Sequence, residues 1–353
     1  MKKRLKILVF TNGTVSPKWR FEGQAKRINE QTEHEMLVTI HKDWRGSVAG
    51  ANLVIIEMIA STKMVDECHQ QGAKVIYDAD DAIIDTYGRE RKNLMHIGPV
   101  HRGIAIETIA KCDAVTIDNQ TLKENYGRFT KKPVYILPFY VDFDWYGREL
   151  LKIQRNTDEI RLGWFGSKGH HEDLRMIVPA VKEVLEKYPK VKFVYCGYGG
   201  MSSDRLLTEV GWGEDAFREI PRERREFVLG VPGDFWPMKH RFLDFDIGIS
   251  PLIDDYFNNC KVETKFLEYA ALGTPGVYSP TVYKPWVEHG KTGFIAKNTR
   301  EWVKYLSLLI ENKKLRKRIG QNARTWVFKN RDLDYHWRKW LKIYKEVVFG
   351  TSQ

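Results

Sequence analysis

The sequence predicts an α/β protein built from two Rossmann-like, doubly wound domains that face each other across a cleft. Short apolar runs of strand length alternate with amphipathic stretches from Lys6 to about residue 145, and after the polar stretch Lys152 to Glu159 the rhythm starts again. The 353 residues, at roughly 150 per domain, suit two such units, and 42% hydrophobic content supplies two cores. Ligands of open α/β sheets sit beyond the carboxyl ends of the strands, so tandem sheets point to a site between them.

The first unit, residues 1–150, opens with the strand KILVF. Its start, MKKRLKILVF, imitates a secretion signal, but the apolar run stops at Thr11-Asn12-Gly13, short of the roughly 7–15 residues of a signal core. A helical pattern over 18–31 follows, then the strands EMLVTI and ANLVIIEM, a helix near 61–71 and the strand KVIYDAD. A helix ending near Lys111, the strand AVTIDN, a short helix near 120–127 and VYILPF complete six strands. The second unit, residues 158–328, reads IRLGWFG, a helix over 172–187, VKFVYCG, FDIGIS, a helix over 259–272 and PGVYS. Neither an internal repeat nor a low-complexity tract interrupts the pattern.

Lys and Arg number 57 against 46 Asp and Glu, a formal charge of +11. A phosphate-bearing small molecule, a nucleic acid and an anionic bilayer are all attracted by such a surface, so charge alone does not choose among them. No apolar stretch approaches the roughly 18 residues of a spanning helix, the best candidate, LVIIEMIA, being broken by Glu57. The expectation is a soluble or peripheral protein in the cytoplasm. Cys68, Cys112, Cys196 and Cys260 lie far apart with no C-x-x-C pair, which predicts reduced thiols, no disulfide and no zinc.

Gly163-Trp164-Phe165-Gly166-Ser167-Lys168-Gly169-His170-His171-Glu172-Asp173-Leu174 runs from a strand through a glycine-containing loop into a helix. Unpaired N–H groups and the positive end of the helix dipole make such a turn a phosphate cradle, with Lys168 or His170 as an added donor. The plainer reading is a tight turn in which Glu172 and Asp173 complement the dipole. No G-K-[ST] follows, so it is not a Walker loop. The second signal is Asn258 to Pro275, read as one helix with Asn available to cap it and Gly273 then Pro275 to end it. Lys261, Lys265 and Glu268 then share a face, two cations for a diphosphate and a carboxylate for ribose hydroxyls, or simply an exposed ion-pair face.

Together, Asp78-Ala79-Asp80-Asp81, Cys112-Asp113-Ala114-Val115-Thr116, Leu137-Pro138-Phe139 with Asp142, GWFGSKGHHEDL, Asp246 to Leu252, the Lys261 to Pro275 segment and His289-Gly290-Lys291-Thr292-Gly293-Phe294 carry a resemblance over nearly the whole chain. The sequence resembles the group 1 retaining, nucleotide-sugar-dependent glycosyltransferases of the GT-B fold. That resemblance implies an N-terminal acceptor domain, a C-terminal donor domain and a last helix crossing back, to which residues 329–353, with Asp334 to Val348, correspond. It implies transfer of a sugar from a UDP- or GDP-type donor to a hydroxyl acceptor on a surface or lipid-linked glycan, with no cofactor.

Carried over residue by residue, Gly166, Ser167 and either Lys168 or His170 face the donor phosphates, Lys261 and Lys265 neutralise the leaving diphosphate, and Glu268 holds the ribose. The lysines then replace a metal ion. One departure is Cys260, where the family often has a Glu that touches the donor sugar. Asp-x-Asp after a strand is also the metal signature of the GT-A glycosyltransferases, so Asp78-Ala79-Asp80 has a metal alternative. In the two-domain reading, Asp80 acts on an acceptor hydroxyl while Asp78 and Asp81 bind the acceptor, or all three merely cap and solvate. His101 is a further catalytic candidate and Arg20, with Asn12 and Gly13, a further acceptor contact.

Basic and aromatic residues interleave from His336 to Lys345, either as packing between domains or as a surface for phosphate backbones or anionic lipid. Two other functions stay open on sequence alone. One is a phage-type DNA glycosyltransferase acting on a modified base, and the other is a non-catalytic GT-B scaffold that binds sugar nucleotide or anionic polymer.

Overall fold

The computed structural model describes residues 4–11, 18–40, 48–86, 99–149, 157–167, 170–198, 216–229 and 245–350. In the first unit β1 (Lys6–Thr11), β2 (Glu35–Ile40), β3 (Leu53–Glu57), β4 (Lys74–Ala79), β5 (Ala114–Ile117) and β6 (Val134–Ile136) form one parallel sheet in the order β2-β1-β3-β4-β5-β6. The second sheet contains β7 (Ile160–Ser167), β8 (Val191–Tyr198), β9 (Arg225–Leu229), β10 (Ile247–Ser250), β11 (Gly276–Tyr278) and β12 (Phe294–Ile295) in the order β12-β11-β10-β7-β8-β9. Two α/β units are therefore present, as the apolar runs predict. β1, β3, β4 and β5 are buried almost end to end and largely apolar because helices cover both faces of a parallel sheet.

Strand order reverses where β1 lies between β2 and β3, and again where β7 lies between β8 and β10. Crevices open at the carboxyl ends of strands at such reversals. Gly166 and Ser167 close β7 at one of them, beside Ser250 at the end of β10.

The expected helix over 259–272 is two helices. Asp255 caps Tyr256–Asn259 by accepting from the Asn258 N–H at 2.8 Å, the chain turns through Cys260–Glu263, and the second helix is Thr264–Ala271. Asn258 and Asn259 thus belong to the first helix and cap nothing in the second. Lys261 stands in the turn, so the single helix face predicted for Lys261, Lys265 and Glu268 holds only for the last two.

The turn also ties the two units together. Phe257 and Cys260 are buried in the first unit's core with Ala79, Ala82, Leu122 and Tyr126. Asn119 caps Gln120–Tyr126 through its Oδ1, while its Nδ2 donates across to the carbonyls of Cys260 (3.1 Å) and Lys261 (3.2 Å). Cys260 is therefore a packing group between the units. No disulfide joins the four cysteines, and all are buried.

The last helix, Leu333–Phe349, lies against the first unit. Trp337, Trp340, Leu341 and Tyr344, one stripe at helical spacing, share a core cluster with Ile7, Val9, Phe21 and Ile28. Burying each such side chain is worth about 1.5–3 kcal/mol, so packing accounts for the stripe. The crossing is pinned by backbone pairing of Val141 with Asp332 and by Arg27, which donates to Asp142 at 2.9 Å and to Asp334. Among the described residues no helix is long and apolar enough to cross a membrane.

Candidate functional site

The site is assembled where β7 meets the helix His171–Lys187 and the helix Thr264–Ala271 starts. Gly166 has a steric reason to be glycine, because a Cβ there would meet the Trp164 ring. Lys265, on the first turn of its helix, extends over the rings of Trp164 and Phe165, with its ammonium 5.8 Å from each centroid. The same ammonium lies 3.4 Å from His170 Nε2. An ammonium only donates, so Nε2 accepts and the ring proton sits on Nδ1. From there it is donated to Asp173 Oδ2 at 2.9 Å.

Burial and the Lys265 charge push the His170 pKa down to about 3, with Asp173 opposing. His170 is neutral at ordinary pH. Burial, then the Lys261 charge, pushes Lys265 down to about 8, partly offset by Glu268 and Asp173. Two cations are being held together in a poorly solvated place, which favours an anionic ligand between them. Glu268 is buried at 3% exposure one turn beyond Lys265. Tyr146, whose phenol is pushed well up by burial and by the Glu268 carboxylate, encloses it.

Lys261 faces the other unit, its Nζ 3.5 Å from Asp81 Oδ2 and 4.4 Å from the Phe257 ring centroid. Asp81 therefore meets a lysine of the opposite domain. Asp80, following β4, is half-buried. His101 stands exposed on the first turn of Pro99–Lys111, and no described contact joins it to His170 or Lys265. Ser167 ends β7 with its backbone paired to Tyr198. Lys168, Asn12 and Gly13 lie outside the described residues.

The acceptor contacts expected of Arg20 and Asp78 are corrected by their burial, 2% and 0% exposed. Arg20 forks onto Asp78 through Nε and through Nη2 at 2.8 Å, and Nη1 reaches Asp118 Oδ1 at 2.6 Å and the Leu137 carbonyl at 3.3 Å. Thr116 donates to Asp78, and the Trp340 ring covers the guanidinium at 4.7 Å. Burial opposes the Arg20 charge, but Asp118 and Asp78 raise its pKa overall. These carboxylates are occupied by an internal cation, which also removes Asp78 as a metal ligand. Among the described residues no group of three or more His, Cys, Asp or Glu side chains is placed to hold a metal ion.

Two residues of the site carried no local signal. Asp173, 1% exposed, reads in sequence as a dipole-complementing acid, yet it accepts from His170 Nδ1, from the Ile253 N–H at 2.9 Å and from Asn258 Nδ2 at 2.8 Å. Asn119 caps the helix that follows it and is also the bridge between the units.

No protein-family model and no curated protein sequence matches the chain. Among solved structures it is similar to the sucrose-phosphate synthase of Thermosynechococcus elongatus, with TM-score 0.72 and 11% identity over 99% of this chain and 100% of that one. It is similar to HepE of Anabaena, with TM-score 0.67 and 11% identity over 96% and 99%. The fold is GT-B. TarM is similar too, with TM-score 0.59 and 14% identity over 83% of this chain, which spans about half of TarM (54%). In GT-B terms, the lysine and histidine cluster belongs to the C-terminal domain, and Asp81 approaches Lys261 from the N-terminal one.

Proposed function

We propose that the chain is a glycosyltransferase that moves a sugar from a nucleoside diphosphate sugar to a hydroxyl of a surface or lipid-linked glycan. One observation carries this reading: at the carboxyl end of β7 the Lys265 ammonium is held 3.4 Å from the His170 Nε2 acceptor and over the Trp164 and Phe165 rings, with the Lys261 charge acting on it. Such a place stabilises negative charge that grows during a reaction.

In the step proposed, the bond from the sugar anomeric carbon to the phosphate oxygen breaks and its electron pair stays on that oxygen. The acceptor oxygen bonds to the anomeric carbon and gives its proton to the Asp80 carboxylate. Lys265 and Lys261 meet the charge on the leaving diphosphate without requiring a metal ion, His170 orients Lys265 through its Nε2 acceptor, and Glu268 takes the ribose hydroxyls. Asp80 faces the acceptor. The resemblance in sequence supports retention of anomeric configuration, and HepE, solved with UDP and with UDP-glucose, supports a UDP-type donor. The reaction is placed in the cytoplasm, in solution or at the membrane surface.

The test is melting temperature with UDP, GDP, ADP, CDP or dTDP in EDTA. A ligand at about 100 times its Kd stabilises by about 2.7 kcal/mol. A shift with one base is expected. A shift seen only after Mn²⁺ or Mg²⁺ is added would overturn the metal-independent reading, and no shift in either condition would favour a scaffold without donor chemistry.

A further inference from the structure

Lys265 and Lys261 approach the same place from different backbone settings, one on a helix and one in a turn, so something must hold those settings together. The candidate is a buried carboxylate that belongs to neither element. Asp173 lies in the first turn of His171–Lys187 and uses both oxygens. Oδ2 accepts from His170 Nδ1 at 2.9 Å, and His170 Nε2 in turn faces the Lys265 ammonium at 3.4 Å. Oδ1 accepts from the Ile253 N–H at 2.9 Å and from Asn258 Nδ2 at 2.8 Å. Asn258 also donates to the Ile253 carbonyl at 2.9 Å, and its own carbonyl accepts from the Lys261 N–H at 3.1 Å.

We infer that Asp173 is the positioning residue for both lysines, fixing through Oδ2 the imidazole tautomer on which Lys265 rests and through Oδ1 the turn that presents Lys261. The inference rests on the reading of this cluster as the diphosphate subsite. Asp173 is 1% exposed and acts through the protein groups it holds. It acts by selection: an Nδ1–H imidazole offers Lys265 an acceptor, whereas an Nε2–H imidazole would set two donors against each other. A carboxylate at Nδ1 enforces the first form, and an amide that turns its NH₂ toward Nδ1 would enforce the second.

The experiment has two readouts on the full chain. Long-range ¹⁵N–¹H spectra of the ligand-free protein should show His170 protonated at Nδ1 in the wild type and at Nε2 in Asp173→Asn. Calorimetry with UDP should show Asp173→Asn binding about tenfold or more weakly, because a buried donor loses its acceptor. Asn258→Ala should keep the Nδ1–H tautomer and lose several-fold in UDP affinity, since only the Oδ1 side is cut. An Nε2–H imidazole in the wild type would overturn the inference. So would a folded Asp173→Asn that melts lower but binds UDP as tightly, the behaviour of a merely structural acid. Should Asp173→Asn not fold, the wild-type tautomer and Asn258→Ala still decide. A wild type that binds none of the five nucleoside diphosphates would instead count against the function proposed above, with the imidazole spectrum still testing the role of Asp173.

Discussion

The Lys261 ammonium lies 3.5 Å from the Asp81 carboxylate, and the pair joins the two domains across the cleft. A carboxylate is thus already seated on one of the two cations assigned to the donor diphosphate. The ligand must displace it. Both side chains keep some water, at 20% and 29% exposure, so the pair is worth under about 1 kcal/mol. Asp81→Asn should therefore tighten UDP binding by roughly threefold, as calorimetry would show. Weaker binding in that variant would mean that Asp81 helps to hold the donor.

Lys265 gives a prediction in which stability and binding move in opposite directions. Its pKa is about 8 in the folded chain against an ordinary 10.5, lowered first by burial and then by Lys261, with Glu268 and Asp173 opposing. The cost of keeping it charged is present in full below pH 8 and is relieved as pH rises toward 10.5, since the unfolded chain then binds more protons. Lys265→Met should raise the melting temperature at pH 7 and abolish measurable UDP binding. In the wild type, UDP affinity should fall as pH rises above 8, and binding there should take up a proton, read from calorimetry in buffers of different ionisation enthalpy. A variant that melts lower yet still binds UDP would refute the assignment.

His170 should leave a mark on acid stability as well as on the placement of Lys265. Burial and Lys265 hold its pKa at about 3 against an ordinary 6.5, so it contributes stability above pH 6.5 that is lost as pH falls toward 3. His170→Asn should flatten the loss of melting temperature between pH 6.5 and 4. The terminal phosphate of UDP titrates at about pH 6, so the shape of the pH profile of UDP binding between pH 5 and 7 should be the same in the wild type and in His170→Asn. A wild-type inflection near 6.5 that vanishes in the variant would show a titrating imidazole instead.

Arg20 is predicted to matter for folding. Removing a buried cation leaves Asp78 and Asp118 uncompensated, typically a loss of 3–5 kcal/mol. Burial already pushes the Asp118 carboxyl well up, opposed by Arg20 and reinforced by Asp80 and Asp78. Arg20→Met should lower the urea midpoint sharply at pH 7 and by less in acid, where the carboxylates can take up protons. An unchanged midpoint with weakened acceptor use would restore Arg20 to the acceptor site.

What could be read from sequence follows a physical divide. The long strands are visible because a strand buried on both faces is mostly apolar, as Leu53–Glu57 and Ala114–Ile117 are apart from Glu57 and Thr116. The two-residue β12 and the five-residue β9 went unseen, the first being too short for any periodicity. Lys265 and Glu268 are legible because helical spacing places them together, whereas Lys261 reads as part of their helix since Asn258 and Asn259 imitate a cap that Asp255 supplies one helix earlier. Arg20 with Asp78, and Asp173 with Asn258, pair over 58 and 85 positions of sequence. Such partners are chosen by the sheet order, which no local pattern contains.

The close approach behind Lys265's helix gives the last prediction. Gly320 lies within the helix Lys313–Arg331, where glycine ordinarily costs about 1 kcal/mol relative to alanine. A Cβ on it would land on the carbonyl oxygen of Gly273, just past the end of Thr264–Ala271. That atom is backbone and cannot swing aside. Gly320→Ala should therefore destabilise the chain, reversing the sign expected of an exposed helix, with a lower urea midpoint as the readout. Because the two helices would have to part, the start of Thr264–Ala271 would shift as well, and UDP affinity should drop although Gly320 touches nothing in the cleft. A stabilised variant would show that the helices separate at no cost and that Gly320 does not set the placement of Lys265.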